Sequence, residues 1–188
     1  MGKWSRAKYR GNVNDGLILR IAQDDGQALE ALYAETSAAV YGFILSIVRN
    51  PHTAEDLMQE TYIKVYLSAA RYVPQGKPMA WVLTISRNLA LMKLRERASQ
   101  HIPLEAERSV FPAGKSPEAA LDSLMLEAAM NILGDEERQI IMLHAVAGAK
   151  HREIAALLEI PLPTVLSKYR RALAKLNKHM REAGQDEA

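Results

Sequence analysis

The chain contains no cysteine. That excludes a disulfide scaffold, a cysteine-ligated zinc site and a thiol nucleophile, and it fits a reducing compartment. Aromatic residues are also scarce, at 6% of 188 positions. Ala, Leu, Ile and Met fill the apolar share instead, a mix that favours helices over strands. No uninterrupted apolar run approaches the roughly 20 residues that span a bilayer, so no membrane insertion is expected. Charge of one sign is lacking as well: 24 Lys and Arg face 22 Asp and Glu, for a net charge of +2. Bulk charge therefore does not point to nucleic acid, and what matters is where the charges sit. There is no Gly-rich phosphate loop, His/carboxylate cluster or nucleophile constellation, so neither catalysis nor a cofactor is expected. The five histidines are scattered; His151 and His179 read as surface residues near helix ends. Residues 1–10 are basic with no apolar stretch behind them, which is not a secretory signal. They read as a solvated tail, with an amphipathic targeting peptide as the alternative, and a cytoplasmic location is expected.

What is present is a helical pattern in two blocks. Pro103, Pro112 and Pro117 fall in or beside a stretch, 99–116, with little periodicity, which reads as a flexible linker. The expected organisation is all-α: a tail at 1–13, a helical domain at 14–98, the linker at 99–116, a second helical domain at 117–182, and a tail at 183–188. The first domain reads as four helices. They are a short one over 15–22, a long one over 27–48 ended by Asn50-Pro51, one from an N-cap at Thr53 to about 70, and one from Pro78 to about 97. The apolar stripe of the last is Val82, Ile85, Leu89 and Met92.

The second domain reads as four more. Ser116-Pro117-Glu118 starts a helix that Gly134 ends, and Asp135 caps the next, which runs to Gly148. A two-turn helix over 151–158, a tight connection and a longer helix from about 163 to 180 follow the helix-turn-helix plan. Ala155 is small where the two helices meet, and Ile160 fits between them. Val165, Tyr169, Ala172 and Leu176 form the inner face of the last helix. Its other side carries Lys168, Arg170, Arg171, Lys175, Lys178 and Arg181, with no acid between Pro163 and Arg181. Taken alone, that stripe suits either phosphate contact or the negative end of the helix dipole. With the helix-turn-helix spacing it points to DNA, read by the early positions Pro163, Thr164, Ser167 and Lys168.

The third helix is acidic: Asp56, Gln59, Glu60 and Ile63 share a face. DNA would be repelled by it. Spacing alone leaves two readings, a basic protein partner or acids favoured near a helix N-terminus. The fourth helix sets Arg87, Lys93, Arg95 and Arg97 beside Trp81, Thr84 and Asn88, a combination that can hold single-stranded DNA. Trp81 can stack on a base or belong to the core.

Two motif blocks carry a family resemblance. Ala54-Glu55-Asp56-Leu57-Met58-Gln59-Glu60-Thr61-Tyr62, then Ala80-Trp81-Val82-Leu83-Thr84-Ile85-Ser86-Arg87-Asn88, resembles conserved region 2 of the sigma-70 family. Arg152-Glu153-Ile154-Ala155 with Pro163-Thr164-Val165-Leu166-Ser167-Lys168-Tyr169-Arg170-Arg171-Ala172 is similar to region 4. The arrangement is most like the extracytoplasmic-function (ECF) subgroup and covers residues 14–180. The resemblance implies a transcription initiation factor. Asp56, Gln59 and Glu60 would dock on the β′ clamp helices of core RNA polymerase. Arg71, Lys77, Thr84, Arg87 and Asn88 would read the −10 element as melted strand, and Pro163, Thr164, Leu166, Ser167, Lys168, Arg170, Arg171 and Lys175 the −35 element. Its implied partners are core polymerase (β′ clamp helices and β flap), promoter DNA and, as in many relatives, an anti-sigma factor. It also implies a compact free form that hides the DNA surfaces. The family often has a base where Leu166 stands, Arg for Lys168, Gly for Pro163 and Asp for Met92, which implies an atypical −35 reader. The residues also admit a helix-turn-helix regulator acting without core polymerase, or a helical protein-interaction adaptor.

Overall fold

The computed structural model describes residues 13–99 and 131–183. Among the described residues seven α-helices carry the fold: α1 (Asp15–Ile21), α2 (Gly26–Val48), α3 (Pro51–Ser68), α4 (Pro78–Ser99), α5 (Asp135–Ile141), α6 (His151–Leu158) and α7 (Leu162–Ala183). A 3₁₀ turn, Ala69–Arg71, follows α3, and a π turn, Met142–Val146, follows α5. No strand occurs among the described residues. The linker at 99–116 and the helix expected over 117–132 lie almost wholly outside them.

Short polar side chains set the helix starts. Asn14, Asp25 and Asn50 each accept a backbone N–H of the first turn, from Leu17, Ala28 and Thr53. Asn50 therefore begins α3, rather than only ending α2, and Thr53 sits inside the helix and is not its cap. Its hydroxyl instead accepts from Arg97 at 2.6 Å, which ties the end of α4 to the start of α3. Likewise Gly134, not Asp135, is the N-cap of α5.

The core is built around α2. Every residue from Ala39 to Val48 is buried, so this half of the helix is enclosed all round rather than on one stripe. By length and composition α2 is apolar enough to cross a membrane, with a mean hydropathy of 1.5. That departs from the reading of uninterrupted runs, because Thr36, Gly42 and Ser46 break the run without lowering the window much. Two thirds of the window is buried within the protein, the pattern of a central core helix.

One side of α2 meets α1, α3 and α4; the other meets α5 and the π turn, while α6 packs on α4. The N-terminal and C-terminal helix groups thus share one apolar core. Arg138, almost fully buried, spans the junction. Its guanidinium donates to Ser46 O at 3.3 Å, to Leu133 O at 2.8 Å and to Asp135 Oδ1 at 3.1 Å. Close by, a Cβ placed on Gly42 would lie 2.5 Å from Met142 Cε, so the absence of a side chain lets Met142 seat against α2.

Two sequence expectations change here. The helix from 135 does not run to Gly148. The N–H of Ala147 reaches back to Met142 O, one residue further than in an α-helix, and Gly148 then turns the chain at φ +67°. The α4 stripe stops short of Met92, which is about half exposed while Val82 and Leu89 are buried. Leu91 and Leu94, not Met92, continue the packed side of the helix.

Gly42→Ala is expected to be near neutral. A gain of about 1 kcal/mol in helix propensity offsets displacement of the flexible Met142 tip. Gly42→Val should cost about 1–3 kcal/mol by overpacking and push the two groups apart. Small-angle scattering should show a larger radius of gyration, restored when Met142→Ala is added.

Candidate nucleic-acid interface

The loop that leads into α4 is held by one carboxylate. Asp15 of α1 accepts from the Tyr72 hydroxyl and from the Gly76 N–H, the latter at 2.7 Å. Burial, then the bond to Asp15, pushes the Tyr72 phenol up to about 12. The Tyr72 ring lies 4.9 Å from that of Trp81, which leaves Trp81 half-buried against the core. Arg71 and Lys77 are exposed at the two ends of this loop. Along α4, Thr84 and Asn88 are exposed one turn apart and continue the line from Lys77. Arg87 points elsewhere. Its guanidinium donates to Leu158 O at 3.4 Å and stands 3.9 Å from a Glu159 carboxylate oxygen, across the junction at the end of α6.

On α3, Asp56 and Gln59 are exposed and Glu60 is half-buried at the edge of the same face. Ile63 and Leu67 continue it, 58% and 62% exposed. The surface is therefore acidic at the helix start and apolar further on.

The helix-turn-helix is α6, a three-residue turn and α7. Glu159 closes α6 in the left-handed region at φ 59°, and the Ile160 N–H bonds to Ala155 O. At 100° per residue the α7 surface divides into four strips. Val165, Tyr169, Ala172 and Leu176 face the core as expected, with Val165 and Ala172 fully buried. Lys168, Arg171 and Lys175 form one flank, turned to the acidic start of α5. Lys168 Nζ meets Glu136 at 3.1 Å, Lys175 Nζ meets Glu137 at 2.6 Å, and Arg171 Nε lies 4.0 Å from Glu137. Leu166, Leu173 and Met180 make the opposite, apolar flank. The outward strip holds Pro163, Ser167, Arg170, Lys178 and Arg181. Arg170 is exposed and makes no ion pair or hydrogen bond among the described residues. Thr164 is half-buried at the helix start.

Three residues that matter here gave no local signal in the sequence. Asp15 acts on residues 57 and 61 positions away. Glu136 and Glu137 read as ordinary first-turn acids, yet Glu137 is buried and collects Lys175, Arg171 and the Gly134 N–H. Burial alone would raise its carboxyl. The bonds from Lys175 and Gly134 and the two nearby cations outweigh it and hold the group below the usual carboxylate range.

Two family models match the chain: sigma-70 region 2 over residues 32–100 and sigma-70 region 4 over residues 123–176. The ECF RNA polymerase sigma factor SigK of Mycobacterium sp. (strain KMS) is 32% identical over 166 residues, 83% of this chain and 84% of that protein. The chain belongs to the ECF RNA polymerase sigma factors. The RNA polymerase sigma factor CarQ of Myxococcus xanthus is 35% identical to this sigma factor over 138 residues, 72% of this chain and 78% of CarQ. Two solved structures share the fold. CnrH in complex with the cytosolic domain of CnrY has a TM-score of 0.66 at 20% identity, covering 90% of this chain and 97% of that one. The sigma factor RpoE of Bartonella quintana, in complex with the anti-sigma factor NepR, has a TM-score of 0.68 at 24% identity, covering 81% and 96%.

In this sigma factor Glu137 joins α5 to α7. Glu137→Ala should destabilise the helix-turn-helix by about 1–3 kcal/mol, read by thermal melting. Its folded pKa is lowered, so the brace is complete above about pH 4.5 and fades as pH falls further. The difference between wild type and variant should shrink below that pH.

Proposed function

We propose that this ECF sigma factor docks on the β′ clamp helices of core polymerase through Asp56, Gln59 and Glu60, and reads promoter DNA with both helix groups. The observation that carries the reading is the segregation of charge: an exposed acidic face on α3, and an exposed basic strip on α7 in which Lys178 meets Glu182 at 3.7 Å while Arg170 makes no ion pair among the described residues. Acids on α3 suit a basic protein surface, and the outward strip of α7 suits phosphates. The −10 role falls to Arg71, Lys77, Thr84, Arg87 and Asn88, and the −35 role to Pro163, Thr164, Leu166, Ser167, Lys168, Arg170, Arg171 and Lys175. Within the second set the division of α7 assigns different weights. Arg170, Ser167 and Pro163 point outward, whereas Lys168, Arg171 and Lys175 orient the helix through α5.

The domains proposed for these roles are 14–98 and 117–182, joined at 99–116 and flanked by tails at 1–13 and 183–188. The factor works in the cytoplasm by binding alone, with no catalytic step. Arg87 cannot serve DNA while the Leu158 carbonyl and Glu159 hold it, so promoter binding requires the two groups to part. An anti-sigma partner, as RpoE has in NepR, would act on that same equilibrium.

Two experiments test this. Asp56→Arg with Glu60→Arg should abolish co-purification with core polymerase while leaving melting unchanged; undiminished binding contradicts the docking face. In a polymerase–promoter retention assay, Arg170→Ala should lower affinity and reduce the salt slope by about one, with no change in melting. Lys175→Ala should show the reverse, a lower melting temperature with a smaller change in salt slope.

A further inference from the structure

His151 is half-buried rather than a plain surface residue. It opens α6, and its ring stacks on His144 of the π turn at 4.5 Å with 23° between planes. Tyr169 of α7 presents its ring edge-on to both, at 4.9 Å from His144 and 4.8 Å from His151. The π turn, α6 and α7 thus meet through three flat rings. The His144 Nδ1 bonds to Ala149 O at 3.0 Å; a carbonyl can only accept, so this nitrogen carries its proton. The His151 Nε2 is buried with no hydrogen-bond partner.

We propose that the His144–His151 stack is a proton-sensitive joint, in which uptake of a proton by His151 loosens α6 from the π turn and α7. A neutral stack packs like any aromatic pair. A charged His151 would place an extra N–H⁺ at a site without an acceptor, beside a second imidazole and at the positive end of α6. Other charges near the ring do not offset this. His144 and Tyr169 are the titratable groups in contact with it. Arg87, from α4, meets α6 at its far end. Arg152 is exposed, Glu153 is engaged by the Lys150 N–H, and Lys168 is paired with Glu136.

Burial, then the neighbouring His144, lowers the His151 pKa below its ordinary 6.5. The unfolded chain therefore binds the proton first. The joint is complete above about pH 6.5 and weakens as pH falls below it, with the opening constant rising up to about tenfold per pH unit. Any effect on −35 binding rests on the function proposed above; the joint itself does not.

The test is hydrogen exchange on the full chain without DNA, corrected for intrinsic rates, from about pH 7.5 to about pH 5.5 across the ordinary histidine range. In wild type the α6 amides should lose protection relative to α3 as pH falls. His151→Phe, which keeps a flat ring without the titration, should remove that loss. Parallel loss in both proteins, or no loss in wild type, overturns the proposal. If His151→Phe does not fold at neutral pH, NMR titration of the wild-type ring decides. A His151 midpoint below 6.5 that moves together with the Tyr169 ring signals supports the joint; a midpoint at or above 6.5 overturns it.

Discussion

From Ala39 to Val48, α2 is buried on every side, and both helix groups take their footing from that stretch. α3 and α4 pack on one side of it, and α5 with the π turn on the other. The contact is possible because Gly42 leaves room for Met142, and it is fixed in register because Arg138 reaches Ser46 O from the opposing group. A buried guanidinium is costly unless its donors are met, so the junction tolerates one seating and resists sliding. Placement of Arg87 against the end of α6 follows from that seating.

The second constraint is the way acids apportion the basic helix. A row of Lys and Arg would all repel one another and all suit phosphate. Instead Glu136 and Glu137 draw Lys168, Arg171 and Lys175 to one flank. α7 is thereby pinned through three of its cations and presents Arg170 and Arg181 outward, with Lys178 paired to Glu182. This also bears on the departures from the family pattern. Leu166 sits on the apolar flank beside Leu173 and Met180, away from the outward strip, so its lack of charge removes nothing from that strip. Lys168 serves α5.

The four helices of the N-terminal group, the helix-turn-helix and the inner face of α7 were legible because periodicity reports burial on one face. Where burial is two-sided the signal fails. Nothing local in the second half of α2 reveals that a second group of helices covers its other side. The π turn was equally hidden, because residues 142–146 keep helical composition. The exposed members of the candidate site, such as Asp56, Asn88 and Arg170, were legible through motif resemblance. Asp15, Glu137 and the stacked His151 were not, since each acts through a contact that sequence spacing does not encode.

The central claim is that the two helix groups are seated on one another in the free factor and separate on promoter DNA. The chain has no cysteine, so single thiols can be introduced at exposed Met92 and Ala156 and spin-labelled. Pulsed electron–electron resonance should give one short distance in the free factor and a clearly longer one in the promoter-bound holoenzyme. The same short distance in both states, with transcription intact, would contradict the account.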